Sequence, residues 1–324
     1  MKSISSLALL IIIATGCETS DPNSDYSFDY DIVVTDDPAN LRGLNSSFDD
    51  YNSDLPYPGT RTDIIFSSDR AGARRNFNLT KGLLEFSYHK KDDKLNVTVP
   101  NNDVSRIFSE SFFQKINTEN NEYGPYSYHK DEDILFMYSS EEEGQHKIKF
   151  ANITRWNYAD QQIADPLTLA KINDFGDNLY PAQSSNPREL IFCSNREDSV
   201  YNIFSATYRS DISAQSLAAG DVERIEKITD LSSSYDDKCP FIKDNLMVFS
   251  SNRPGGYGGF DLWYSRLVGN AWSSPVNFGE KVNSSFDEYR PVQFEAIGFD
   301  LMIFSSNRPE GRGGFDLYIV QTND

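Results

Sequence analysis

Phe304-Ser305-Ser306-Asn307-Arg308 ends a segment that the chain has already written three times, as Phe66-Ser67-Ser68-Asp69-Arg70, Phe192-Cys193-Ser194-Asn195-Arg196 and Phe249-Ser250-Ser251-Asn252-Arg253. A degenerate copy, Tyr138-Ser139-Ser140-Glu141-Glu142, fills the gap between the first two of these. The copies begin at residues 66, 138, 192, 249 and 304, so the steps are 72, 54, 57 and 55. Ahead of each lies an acidic loop. Asn283-Ser284-Ser285-Phe286-Asp287-Glu288-Tyr289 nearly repeats Asn45-Ser46-Ser47-Phe48-Asp49-Asp50-Tyr51, with weaker forms at Asp236-Asp237, Asp177-Asn178 and Asn121-Glu122. Behind the last two copies, Gly255-Gly256-Tyr257-Gly258-Gly259-Phe260-Asp261 and Gly311-Arg312-Gly313-Gly314-Phe315-Asp316 lead into an aromatic strand. One unit therefore reads as an acidic loop, a strand, a short turn, an apolar strand ending in Ser-Ser-Asn-Arg, a glycine hairpin, an aromatic strand and a variable fourth strand. A unit of about 50 residues cannot bury both faces of its sheet alone, whereas radial stacking of such units does.

Ring closure fixes the number of blades. The last unit has three strands before the chain ends, and the missing fourth is expected at the other end, within residues 30–41. Pro38-Ala39-Asn40-Leu41-Arg42-Gly43-Leu44-Asn45 parallels Pro275-Val276-Asn277-Phe278-Gly279-Glu280-Lys281-Val282-Asn283, which precedes the last acidic loop. Residues 30–324, less the excess in the long first step, fit five units and not six. The expectation is an all-β, five-bladed β-propeller whose last blade is closed by an N-terminal strand. The excess falls within about residues 79–115 and reads as a projecting hairpin and candidate partner contact.

Composition agrees with an all-β chain: aromatics are 13% of 324 residues, with 18 Tyr and 22 Phe. The net charge of −19 argues against nucleic acid, which is held by clustered cations. Three Cys and three His make a disulfide scaffold or a thiolate or histidine metal centre unlikely matches, and the Asp-x-Asp-x-Asp-Gly calcium spacing is absent. No metal and no cofactor are expected. The glycine runs are followed by strands, so they read as hairpin turns using positive φ rather than as phosphate cradles.

Residues 1–16 carry Lys2 and the apolar run Leu7–Ala14, too short to span a membrane and suited to a secretory signal. Ala14-Thr15-Gly16-Cys17 resembles the lipobox of bacterial lipoproteins, which implies lipidation of Cys17. Residues 17–29 are polar and acidic and read as a flexible tether. Behind a lipidated Cys they resemble a surface-export signal, so an outer-membrane location is expected, the cell surface favoured over the periplasmic face. The repeat itself resembles the WD40-like repeat of TolB-type propellers over roughly residues 38–321, and that resemblance implies a binding or assembly platform rather than a catalyst.

The loop entering the first strand and the hairpin between the second and third share a face of a propeller. That geometry is expected to bring Asp49, Asp177, Asp236 and Asp287 to Arg70, Arg196, Arg253 and Arg308, as inter-blade ion pairs or as a face that recognises a peptide, glycan or cation. Tyr257 on a rim loop is a candidate stacking platform for a glycan. Some five-bladed propellers are glycoside hydrolases, which need two carboxylates in different environments. Acids that recur at one place in every blade point instead to a structural role. The resulting expectation is a non-catalytic, lipid-anchored envelope propeller, an assembly subunit with an outer-membrane protein partner. The alternatives are a surface glycan-binding lipoprotein and a five-bladed glycoside hydrolase.

Overall fold

Five antiparallel sheets surround one axis in the computed structural model, which describes residues 30–71, 76–100, 108–154 and 162–322. In each blade the innermost strand is the one that follows the acidic loop: Asp50–Asp54, Glu122–Lys130, Asn178–Gln183, Asp237–Lys243 and Glu288–Ala296. The apolar motif strand comes second, as in Leu246–Ser251 and Phe299–Ser306, and neighbouring blades cover both its faces. Ile64, Phe136, Phe192, Phe249 and Phe304 on these second strands are all within 1% of full burial, which is why the strands read as continuous apolar runs rather than alternating ones. Blade-to-blade clusters of such residues form the core.

Every innermost strand breaks register at the same place, between Tyr51 and Asp54, Tyr123 and Tyr126, Leu179 and Ala182, Lys238 and Phe241, and Tyr289 and Val292. The residue inside each bulge is left-handed: Asn52, Gly124, Tyr180, Cys239 and Arg290, with φ of 58°, 57°, 55°, 55° and 47°. Its backbone N–H is thereby turned towards the preceding blade. Asn52 N–H donates to Ser305 Oγ at 3.0 Å, Tyr180 to Ser139 at 3.2 Å and Arg290 to Ser250 at 3.2 Å. In the third blade's copy of the motif the acceptor is the Cys193 sulfur, facing the Cys239 N–H. Ser305, Ser139 and Ser250, each the first Ser of its pair, are thus blade-to-blade links, whereas Ser67 Oγ is buried without a partner. Both Cys193 and Cys239 are buried and free.

The N-terminal residues close the ring. Ala39–Asn40 pairs with Asp316–Gln321 as the fourth strand of blade 5. Asn45 holds it, donating to Leu317 O and accepting from Leu317 N–H, both at 2.9 Å. Asn283 makes the same pair of bonds to Leu262 in blade 4, so the parallel between residues 38–45 and 275–283 holds atom for atom. Residues Tyr30–Val34 do something else: they add a fifth strand to blade 1 by pairing with Lys94–Val99.

That pairing corrects the reading of residues 79–115. Strands Asn78–His89 and Lys94–Val99 are the third and fourth strands of blade 1, and Tyr30–Val34 covers their outer edge. The short helix Glu110–Ile116 buries Phe112, Phe113 and Ile116 with Phe108 against Phe136 of blade 2. The apolar residues of the described part of the insertion are spent on the core, not presented to a partner. Cys17, the signal segment and the tether lie outside the described residues.

Candidate functional site

The acidic doublets divide their labour. Successive residues on a strand point to opposite sides, so one acid of each doublet faces its own blade and the other faces the blade before. The second acid, not the first, meets the arginine. Asp50 is 2.5 Å from Arg70, Asp237 is 2.5 Å from Arg253 and Glu288 is 2.9 Å from Arg308, with all three carboxylates fully buried. In blade 3 Asn178 stands in the acid's place and accepts from Arg196 at 2.8 Å. The second Ser of the motif completes each set; Ser251 Oγ donates to Asp237 at 2.6 Å. The expected partnership of the arginines with Asp49, Asp177, Asp236 and Asp287 is therefore corrected by one residue.

Those four aspartates are staples between blades instead. Asp49 Oδ1 accepts the Phe315 N–H at 2.8 Å, Asp177 the His146 N–H at 3.0 Å, Asp236 the Tyr201 N–H at 2.9 Å and Asp287 the Phe260 N–H at 2.8 Å. Their own backbone N–H groups donate to the motif side chain ahead of the arginine, such as Asn307 Oδ1 at 2.8 Å. The glycine hairpins are needed for this docking. A Cβ on Gly258 would lie 1.9 Å from Phe286 O, and one on Gly313 1.7 Å from Phe48 O. Close approach, rather than positive φ, selects glycine at these two positions, and neither is left-handed.

Blade 2 breaks the pattern. Glu142 occupies the arginine's position and pairs with Lys149 at 2.5 Å. Glu122 accepts from Thr118 Oγ1 at 2.7 Å but meets no guanidinium among the described residues, where its Oε2 is buried without a partner. Burial pushes its carboxyl up to about 7, against the pull of Thr118 and Ser140.

The docked loops build a mouth around the axis. Tyr51, Tyr123, Leu179, Lys238 and Tyr289, one residue past each doublet, form an inner circle. Phe77, His146, Tyr201, Phe260 and Phe315, at or just before the start of each third strand, stand beside them. The rings touch in series: Phe260 to Tyr289 at 4.7 Å, Tyr289 to Phe315 at 6.1 Å, Phe315 to Tyr51 at 5.6 Å, Tyr51 to Phe77 at 5.0 Å, Phe77 to Tyr123 at 5.5 Å and Tyr123 to His146 at 5.6 Å. Lys238 extends the series to Tyr201, with its ammonium 4.2 Å from the Tyr201 ring centre and 5.4 Å from that of Phe260. Apart from Leu179, which is buried, all of them are half-buried. Further out on the same face, Phe175, Tyr235, Tyr257 and Phe286 are exposed at 69%, 43%, 50% and 40%. The rim aromatic singled out from sequence, Tyr257, is therefore one of an outer group.

Beneath the mouth the axis is polar. Arg290 is fully buried and spans three blades, donating to Pro125 O at 2.8 Å and Pro240 O at 3.3 Å. Gly124 has no room for a side chain beside it, since a Cβ would stand 2.4 Å from the Tyr180 ring. Asp54 is buried on the innermost strand of blade 1, at a place where the other blades carry Tyr126, Ala182, Phe241 and Val292. Burial pushes its carboxyl up to about 6, opposed by hydrogen bonding to Ser127 and by the Arg290 charge. The Asn52 amide, Ser53 Oγ, Asp54 Oδ2 and Arg290 Nε have no protein partner. Sequence reading missed Asp54 and Arg290, which no repeat marks. Among the described residues no group of three or more His, Cys, Asp or Glu is placed to hold a metal ion.

No family model matches the sequence, and no curated protein does. Solved structures do share its shape. An endo-arabinase from Bacteroides thetaiotaomicron superposes with a TM-score of 0.55 at 10% identity, over 90% of this chain and 98% of that one. The GH43 protein BlXynB from Bacillus licheniformis gives 0.54 at 10% identity, over 88% and 54%. An exo-1,5-α-L-arabinanase from a bovine ruminal metagenomic library gives 0.50 at 8%, over 86% and 95%. At these identities the likeness shows the fold, a five-bladed propeller. It also corrects the expected function. The expectation of a non-catalytic assembly subunit rested on a TolB-type resemblance and on a projecting insertion. The three solved structures named above that share this ring are an endo-arabinase, a GH43 protein and an arabinanase, and the described part of the insertion is packed into blade 1.

Proposed function

We propose that this chain is a carbohydrate-active propeller, a glycoside hydrolase whose glycan lies across the aromatic face and reacts over the axis. The observation that carries the reading is the mouth: an arc of half-buried rings around the axis with exposed aromatics outside it. Flat rings stack on the C–H faces of sugars, and the polar groups between them, Lys238 and the rim aspartates, offer hydroxyls their partners. Asp54 is the candidate general acid. A carboxyl held protonated to about pH 6 can deliver a proton to a leaving oxygen. It is also unrepeated, as a group acting on one bond must be. The unpartnered polar atoms around it give a sugar entering the axis something to bind.

Arabinan is the first substrate to test, because two proteins of this shape are named as arabinan-cleaving enzymes. Linear arabinan, xylan and β-glucan are incubated with the protein and released oligosaccharides measured. Release that disappears in Asp54→Asn, with the fold intact by circular dichroism, is the expected result. No release from any of the three, or an undiminished rate in Asp54→Asn, overturns the proposal. The lipid anchor at Cys17 and the outer-membrane location belong to the same proposal. Cys17→Ala should move the protein to the soluble fraction, and retention in the membrane fraction would sink the anchor.

A further inference from the structure

The mouth is not the only place on this molecule shaped for a sugar. At the opposite end of the blades, a cleft of about 560 Å³ opens between blades 3 and 4. It exists because the fourth strand of blade 4 is broken. Val222–Lys227 runs for six residues along the outside of blade 3, whereas blade 4 offers only Ala271–Trp272 and Val276–Asn277. The space that a longer strand would fill is left between them.

The lining is amphipathic in a particular way. Ile191 and Ile228 provide an apolar floor, and Trp272 stands in the wall, packed against the cluster of Ile191, Met247 and Trp263. The Trp272 backbone N–H donates to Asp230 at 3.2 Å, which ties its hairpin to blade 3. Above the floor, Arg224 and Glu226 form an exposed pair at 3.2 Å, with side chains 60% and 57% accessible. Planar, paired hydrogen-bonding groups beside one fixed indole are what a pyranose or furanose ring requires: a stacking surface for its C–H face and bidentate partners for adjacent hydroxyls. The volume lies within the range of small-ligand sites.

We infer that the cleft between blades 3 and 4 is a second, non-catalytic carbohydrate-binding site, which holds one stretch of a neutral polysaccharide while the mouth engages another. The ligand class rests on the function proposed above; the site itself rests on the cleft. The turn Ser184–Asn186 and the turn at Gly269 and Asn270, both lining the cleft, lie at the ends of the blades away from the mouth. One short oligosaccharide cannot reach both sites. A polymer can, and the second contact then raises its affinity through effective concentration.

The test uses the full chain with xylohexaose, arabinohexaose and cellohexaose, and the corresponding polymers in affinity gels. Tryptophan emission reports the cleft, and a Trp272→Phe protein identifies which part of the signal is its own. The expected result is a saturable change with at least one hexaose, lost in Trp272→Ala, together with about tenfold weaker retention of that variant by the polymer gel. Arg224→Ala, which removes an exposed side chain, should also weaken retention with an unchanged melting midpoint, so that a folding defect in Trp272→Ala does not decide the matter. Hydrolysis of a hexaose at the wild-type rate by Trp272→Ala is expected, since the mouth is intact. If the protein cleaves or binds these sugars but Trp272→Ala and Arg224→Ala retain full polymer affinity, the cleft is overturned and the mouth stands. If none of the sugars binds or is cleaved, the cleft falls together with the proposed function.

Discussion

Replacing Glu122 by Gln should stabilise the protein at pH 8 and not at pH 4.5. Glu122 occupies the position at which Asp50, Asp237 and Glu288 each meet an arginine, but no arginine pairs with it among the described residues. Its carboxyl titrates at about 7 in the fold against an ordinary value of 4.5. A raised acid binds its proton more tightly folded than unfolded, so its contribution is complete below pH 4.5 and is lost as the pH climbs to 7. At about 1.4 kcal/mol for each pH unit of that window, the charged form costs roughly 3 kcal/mol at pH 8. Glutamine keeps the acceptor that takes the Thr118 bond and removes the charge. Its amide nitrogen falls where Oε2 has no partner, a penalty of about 1 kcal/mol. The net expectation is a gain of about 2 kcal/mol at pH 8 and a loss of about 1 kcal/mol at pH 4.5. Urea unfolding at the two pH values, with the slope of the transition compared as well as the midpoint, measures both. A difference between Glu122→Gln and wild type that is the same at pH 4.5 and pH 8 would refute the reasoning, because it would mean that Glu122 titrates alike in the folded and unfolded chain.

Arg308→Met recreates the blade 2 arrangement in blade 5 by leaving Glu288 buried and alone. It should cost about 3–5 kcal/mol at pH 8 and less as the pH falls, because burial raises the Glu288 carboxyl and so favours its neutral form; equal losses at pH 8 and pH 5 in urea melts would argue against it. Asn45→Ala and Asn283→Ala, which remove the same three bonds from blades 5 and 4, should each lose about 2–3 kcal/mol. An Asn45→Ala protein as stable as wild type would show that the N-terminal strand does not hold the ring shut.

The blade count was legible because the Ser-Ser pair does two jobs. In three blades the first Ser receives the bulge N–H of the next blade, with Cys193 in its place in blade 3, and the second Ser lies against its own blade's acid or arginine, so the motif keeps its spacing and carries the fold. The parallel between residues 38–45 and 275–283 was legible for the same reason, since Asn45 and Asn283 make identical bonds. The doublets were readable only to within one residue. Both acids of a pair are polar and both are used, and only the side of the strand on which each falls separates staple from ion-pair partner. The insertion misled because Leu83, Leu84, Leu95, Val97 and Phe112 look equally apolar on a projecting hairpin and in a packed blade. The mouth was present in the repeat, as the residue after each doublet and the residue at the head of each third strand, but an aromatic in a strand reads first as core. Asp54 and Arg290 left no trace, because periodicity reports what blades share.

That last point bears on where chemistry can reside in such a ring. Five similar blades place similar groups around an axis, and most of the repeated groups are satisfied: Asp50, Asp237 and Glu288 by arginine, Asp49, Asp177, Asp236 and Asp287 by backbone N–H, and Ser139, Ser250 and Ser305 by bulges, with Glu122 Oε2 and Ser67 Oγ the exceptions. Asp54 and Arg290 differ from these in having no equivalent in the other blades. Asp54 has alanine, valine and aromatic counterparts in the other blades, and Arg290 reaches across the axis to carbonyls of blades 2 and 4 without a salt-bridge partner among the described residues. Burial favours the neutral acid and the arginine favours its ionised form, and the balance leaves Asp54 near 6 rather than at the extreme that either would impose alone. A proton donor poised in that range, under an arc of rings and unmatched by symmetry, is the arrangement that the structural frame alone does not require.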